Sequence, residues 1–250
     1  MERDGGSRMS MAREHLPAFF TADVGAAGEA LVLGGDAAHH ARVRRIDVGD
    51  RIGLTDGCGR FASATVERLD RSEMVARIEA VDFRVAPPEL QLYVPVADRD
   101  RMLWLAEKAT ELGVTSWRAV RFRRSASVSA RGEGEAFQAK LRARMIAALE
   151  QSNGSWLPRI EATVSLDDLT AARAEMSVML DWSGDNLLQV ARAGSATRGV
   201  LVGPEGGIES AELEQLRNAG WRAASLGDRV LRFETAALAA VAILQAVSHG

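Results

Sequence analysis

Between residues 17 and 85, apolar and polar positions alternate in short runs. Ala30–Leu33, Arg51–Thr55, Phe61–Leu69 and Met74–Val81 carry this period-two pattern, which predicts strands. Turn signals separate them: Gly34-Gly35-Asp36, Val48-Gly49-Asp50 and Asp56-Gly57-Cys58-Gly59. An Asp-Gly pair between strand patterns is a strong hairpin cue. Asp36–Arg45 predicts a turn rather than a long helix, so this stretch reads as a small barrel. Ala86-Pro87-Pro88 then interrupts the pattern, because adjacent prolines force an extended connection and cannot continue a ladder. Beyond it, strands and helices alternate. Leu90–Val96, Trp117–Phe122, Ser177–Asp181, Gly199–Val202 and Arg222–Leu226 predict strands. Arg99–Leu112, Gly134–Gln151, Asn186–Ala193, Ser210–Ala219 and Glu234–Ser248 predict helices, the first stopped by Gly113. Such alternation predicts an α/β fold with a parallel sheet covered by helices. The expected organisation is a flexible extension over 1–15, a barrel over 16–86 and an α/β domain over 87–250.

Composition narrows the class. With 250 residues, 47% of them hydrophobic, the chain can bury substantial cores. No apolar run is long enough for a bilayer, and Ala236–Val247 has the length of a buried helix. The start lacks the apolar centre of a signal peptide, and Met9 and Met11 are alternative first residues, so a cytoplasmic location is expected. Cys58 is the single cysteine, which excludes a disulfide framework or cysteine metal site within one chain. A formal net charge of −3 argues against a protein that is basic all over. It leaves RNA binding open, since that depends on local patches. The positive charge is almost all arginine; Lys108 and Lys140 are the lysines.

Four motifs bear on chemistry. Leu201-Val202-Gly203-Pro204-Glu205-Gly206-Gly207 runs from a strand through a glycine-rich bend toward a helix. Ligands in open α/β sheets gather at such strand ends. No Gly-Lys-Ser or Gly-Lys-Thr follows, and Glu205 would repel a phosphate, so the loop is no nucleotide P-loop. An acidic loop suits a cationic ligand such as a sulfonium; a plain strand-to-helix turn is the alternative. Leu226-Gly227-Asp228-Arg229-Val230-Leu231-Arg232-Phe233-Glu234-Thr235 follows the next strand, with Thr235 expected to cap the last helix. Its arginines either serve a ligand or form surface pairs with Asp228 and Glu234. Lys108 and Glu111, three apart on a helix, predict an ordinary ion pair. Arg118, Arg121, Arg123 and Arg124 begin a basic strip that continues to Arg131 around Phe122, matched by a more broken set at Arg42, Arg44, Arg45 and Arg51. His39-His40 suggests capping or RNA contact rather than metal, since adjacent side chains rarely converge on one ion. No metal site is expected.

Taken together, these segments resemble the bacterial 16S ribosomal RNA (uracil-N3) methyltransferases of the SPOUT superfamily, from about Leu16 to Val247. The resemblance is carried by His39-His40 with Val43-Arg44-Arg45 and Gly49-Asp50, by Lys108–Gly113, by Glu150-Gln151-Ser152, and by the segments at Val202–Gly207 and Leu231–Thr235. It implies a PUA-like RNA-binding barrel followed by a trefoil-knotted α/β methyltransferase domain. It further implies a homodimer acting on 16S rRNA or the small ribosomal subunit, with S-adenosylmethionine bound beside the partner subunit. The implied cofactor residues are Leu180, Leu201, Val202, Gly203, Pro204, Glu205, Gly206, Gly207, Leu226, Gly227, Val230, Leu231, Arg232 and Thr235, with Asp181 beside Leu180. His40, Arg42, Arg44, Arg45, Arg121, Arg123 and Arg124 are the candidate RNA contacts. Arg232 is the candidate stabiliser of a uracil anion, and Glu205 or Glu234 the candidate proton acceptor. The chain departs from the family pattern at Phe233, where threonine is usual. It also departs at Asn153-Gly154-Ser155-Trp156, where arginine usually follows, and at Ala97-Asp98-Arg99, which lacks the common lysine. The alternatives are a non-catalytic RNA-binding protein on the same fold, and a small-molecule enzyme that uses the glycine loop for a phosphate.

Overall fold

A computed structural model of the chain describes residues 15–125, 132–171, 177–193 and 199–248. The expected N-terminal extension up to residue 14, and Arg131 at the end of the basic strip, lie outside the described residues.

The first sheet has five strands: β1 (Ala18–Phe20), β2 (Ala30–Gly34), β3 (Arg51–Thr55), β4 (Arg60–Leu69) and β5 (Glu73–Phe83). Their order is β1-β3-β4-β5-β2, a half barrel whose pairs are antiparallel except β1 with β3. Alternation explains the pairing, because it sends Ile52, Leu54, Ala62, Ala64, Met74, Ala76 and Ile78 into one core with Phe19. Two expectations need correction here. Residues 35–43 form a full helix, α1 (Gly35–Val43), not a turn. Ala38 and Ala41 are buried in the same core as Leu33 and Ile46, and that packing sustains the helix. The three-residue β1 was not foreseen; it is too short to show a period.

The second sheet is parallel throughout. Its strands are β6 (Gln91–Pro95), β7 (Ser116–Arg121), β8 (Arg159–Ile160), β9 (Val164–Ser165), β10 (Ser177–Asn186), β11 (Gly199–Leu201) and β12 (Arg222–Ser225). The order is β12-β10-β11-β6-β7-β8, with β9 also pairing β7. The helices are α2 (Arg99–Glu111), α3 (Glu135–Gln151), α4 (Leu166–Ala171), α5 (Leu187–Ala193), α6 (Ser210–Asn218) and α7 (Phe233–Ser248). Leu92, Val94, Val178, Val200 and Val202 join α2, α3, α5 and α7 in one core. Their neighbours Met179, Leu201 and the partly buried Tyr93 face a second core with Leu166, Leu216 and Trp221. Both faces are covered, which is why these strands read as nearly continuous apolar runs.

Helix α2 shows how local sequence fixes a site residue. Asp98 caps it, its carboxylate accepting from the backbone N–H groups of Asp100 and Arg101, each at 3.1 Å. At the other end, Gly113 N–H reaches Thr110 O at 3.0 Å and Val114 N–H reaches Ala109 O at 3.1 Å, a Schellman turn. Lys108 forms the expected pair with Glu111 at 2.7 Å and a second with Glu107 at 2.9 Å.

The segment Asn153–Leu157 joins the two sheets. Gly59 N–H donates to Ser155 O and Leu157 N–H to Gly57 O, both at 2.8 Å. Trp156 Nε1 donates to Arg84 O at 3.0 Å, Arg84 donates back to Asn153 O at 2.7 Å, and Phe20 N–H donates to Glu150 at 2.7 Å. The departure from the family pattern at Asn153-Gly154-Ser155-Trp156 therefore falls where the β3–β4 hairpin docks.

Candidate active site

Strands β10, β11 and β12 are parallel neighbours, so their carboxyl ends emerge along one edge of the sheet. The loops leaving them enclose a cavity of about 540 Å³. It is lined by residues 180–182, 202–205, 207–208 and 224–231, with Phe233 and Ala236. Val202, Ile208, Ala224, Leu226, Phe233 and Ala236 supply apolar wall, while Asp181, Glu205 and Asp228 supply negative charge. The size lies within the usual range for small-ligand sites, roughly 300–1,000 Å³.

Each wall has a local cause. Strand β10 runs five residues past its predicted end at Asp181, and its pairing with Ala224 jumps from Leu180 to Asp185. The intervening residues bulge outward, bringing Asp181 and Trp182 to the cavity. The loop after β11 closes through Gly207 N–H to Pro204 O at 2.8 Å. It then enters α6, where Glu209 is the N-cap and the buried Glu212 carboxylate accepts from Glu209 N–H at 3.0 Å. The other oxygen of Glu212 accepts from Arg123 N–H at 2.9 Å, tying the strip after β7 to this loop.

Arg101, in the first turn of α2, joins two segments distant in sequence. Its Nε and Nη2 donate to the two carboxylate oxygens of Glu234 at 3.1 and 2.5 Å. Its Nη1 donates to Glu205. The guanidinium also stands over the Phe233 ring, 4.6 Å from its centre. The hydrogen bond to Glu234, ahead of that to Glu205, raises the Arg101 pKa above the ordinary arginine value.

Residues 85–245 match the RNA methyltransferase domain family, and residues 33–79 match its RNA methyltransferase PUA domain. The chain belongs to the RNA methyltransferase family. Among its relatives in this family, the ribosomal RNA small subunit methyltransferase E of Mycobacterium bovis is 32% identical over 221 residues, covering 85% of this chain and 84% of that protein. The enzyme of the same name from Aquifex aeolicus is 30% identical over 225 residues, covering 87% and 94%. The crystal structure of ribosomal RNA small subunit methyltransferase E from Neisseria gonorrhoeae, bound to S-adenosyl methionine, superposes with a TM-score of 0.81 at 29% identity. That match covers 93% of this chain and 98% of the other.

Against this family background, the sequence-predicted residues separate by position. Leu180, Val202, Gly203, Pro204, Glu205, Gly207, Leu226, Gly227, Val230 and Leu231 line the cavity. Leu201 does not, because its side chain turns to the opposite face of the sheet and is fully buried there. Gly206 is exposed outside the lining, where its carbonyl accepts from Arg124. Arg232 is exposed between two lining residues. Thr235 is not the helix cap: α7 already begins at Phe233, and Ala236 N–H reaches Arg232 O at 2.9 Å. Glu234 pairs with Arg101, not with the nearby Arg229 or Arg232.

The candidate RNA contacts form two groups. His40, Arg42 and Arg45 are exposed at the end of α1, whereas Arg44 donates to Ala18 O at 3.2 Å beside Phe19. Arg121 pairs with Glu133 at 2.8 Å, and Arg123 and Arg124 approach Glu209 at 3.8 and 3.5 Å. The second group therefore adjoins the glycine loop and is partly neutralised. Among the described residues, no cluster of His, Cys, Asp or Glu could hold a metal ion, and no helix is long and apolar enough to cross a membrane. Arg101 was missed by the sequence reading. The signal for it was its place in the first helical turn directly beyond a strand's carboxyl end.

Proposed function

We propose that this chain is an S-adenosylmethionine-dependent methyltransferase acting on N3 of a uridine in 16S rRNA of the small ribosomal subunit. The cavity carries this reading: loops from β10, β11 and β12 meet around a space of about 540 Å³ with apolar walls and acidic residues. Apolar lining suits an adenine, and Asp181, Glu205 and Asp228 suit hydroxyl, amino and sulfonium groups. The bound cofactor would supply an electrophilic methyl group. The protein's task is then to orient the uracil and handle its N3 proton.

Glu205 is the proton acceptor in this reading. It lines the cavity with a side chain 59% exposed, whereas both oxygens of Glu234 are held by Arg101. Arg232, exposed beside the lining, stabilises the negative charge left on the uracil oxygens. The target base leaves its stack to enter. Arginines at the end of α1 and after β7 grip the RNA backbone. The exposed apolar residues Trp182, Val230 and Leu231 at the cavity support a homodimer whose second copy covers the pocket. An enzyme acting on the small ribosomal subunit works in the cytoplasm.

The test is to incubate unmodified small subunits or 16S rRNA with the protein and S-adenosylmethionine, then map the RNA by mass spectrometry. One new methyl at N3 of a single uridine is expected. No transfer, or a methyl elsewhere, would overturn the assignment. Arg232→Ala should fold and bind the cofactor yet lose about 100-fold in kcat. Unchanged turnover would remove Arg232 from the mechanism.

A further inference from the structure

Glu205 and Glu234 belong to two different elements that meet beside the cavity. One lies in the loop after β11; the other lies in the first turn of α7, beyond the loop after β12. Two carboxylates drawn to one place repel unless a cation stands between them. Arg101 is that cation, and it comes from a third element. Its fork engages both oxygens of Glu234, and its remaining nitrogen engages Glu205. Its guanidinium carbon lies over Phe233, which is itself buried and lines the cavity. The side chains of Arg101 and Glu234 are only 27% and 11% exposed, so this contact is shielded compared with an ordinary surface pair. Arg101 is held in turn by Asp98, whose carboxylate accepts its backbone N–H at 3.1 Å. Arg101 is not itself among the residues that line the cavity; it touches one that is, Glu205.

We propose that Arg101 is a positioning residue for methyl transfer, fixing the Glu205 carboxylate at the cavity and locking the glycine loop to the start of α7. The inference rests on the reading of Glu205 as proton acceptor. A planar guanidinium can hold two carboxylates at a set angle, while an ammonium supplies charge without that geometry. Small misplacements of a reacting group can cost about 100-fold in rate.

The experiment uses Arg101→Gln and Arg101→Lys in the full chain. It measures kcat and KM for rRNA methylation, and amide hydrogen exchange over 203–209 and 233–236 without cofactor. Arg101→Gln should lower kcat by about 100-fold with little change in KM for S-adenosylmethionine. It should also speed exchange in both segments. Arg101→Lys should fall between, because it restores charge but not the fork. Wild-type kcat in Arg101→Gln overturns the proposal, as does a raised KM with kcat intact. Should the glutamine variant fail to fold, wild-type kcat in Arg101→Lys overturns it equally. If the unsubstituted protein itself transfers no methyl, the functional reading fails. The exchange data then still judge the clamp, and unchanged protection in the variants overturns it.

Discussion

The two loops that face each other across the cavity are built in opposite ways. The loop after β11 is braced from outside: Arg101 holds Glu205, Arg124 holds the Gly206 carbonyl, and Arg123 and Arg124 approach Glu209. The loop after β12 is supported mainly from within. The Ser225 hydroxyl donates to Gly227 O at 3.3 Å and accepts from Gly227 N–H at 3.1 Å, and Val230 is 97% exposed. The difference teaches that one wall is held in place by side chains from other elements, while the other rests largely on contacts of its own and stands open. A preformed wall reduces the ordering cost of binding, and an open wall admits the ligand.

The strongest challenge to this comparison is Gly203→Val on the braced wall. A Cβ there would stand 2.5 Å from Ile208 Cγ1, and the packed loop has little room to yield. Overpacking of about 1–3 kcal/mol should weaken S-adenosylmethionine binding by roughly 10- to 100-fold in calorimetry. Normal affinity would mean that this loop is as adaptable as its neighbour. Gly227→Ala probes the open wall, where φ is +117° and a Cβ would meet nothing within 4 Å. Only backbone strain of about 1 kcal/mol opposes it, so binding should weaken roughly fivefold. An unaltered dissociation constant would show that the loop leaves this conformation on binding. Arg124→Ala removes one outer brace whose side chain is half exposed. Its melting temperature should drop by less than about 3 °C, a larger fall marking the brace as structural.

Legibility followed burial. The long elements of the parallel sheet were readable because their apolar runs have one period each and both faces are covered. The residues that escaped were those whose state depends on a distant partner. α1 is helical because Ala38 and Ala41 pack against the half barrel. The two-residue strands β8 and β9 exist only as additions to β7. The bulge in β10 requires β12 alongside it. In the site, the glycine loops stood out through composition. Leu201 looked equivalent to Val202, but alternation across the sheet sends it to the other core. Arg101 looked like one arginine among many until the fold placed two carboxylates against it.

What the sequence determined alone was local: which long segments become strands and helices, where Gly113 ends α2, and which two loops are rich in glycine. Periodicity and capping act within a few residues, so they can be read along the chain. What only the tertiary structure decided was adjacency: that β12 and β11 flank β10, and that a cation from α2 stands between glutamates 29 positions apart. Those contacts depend on strand order and on charges meeting in space, and neither is written in the spacing of neighbouring residues.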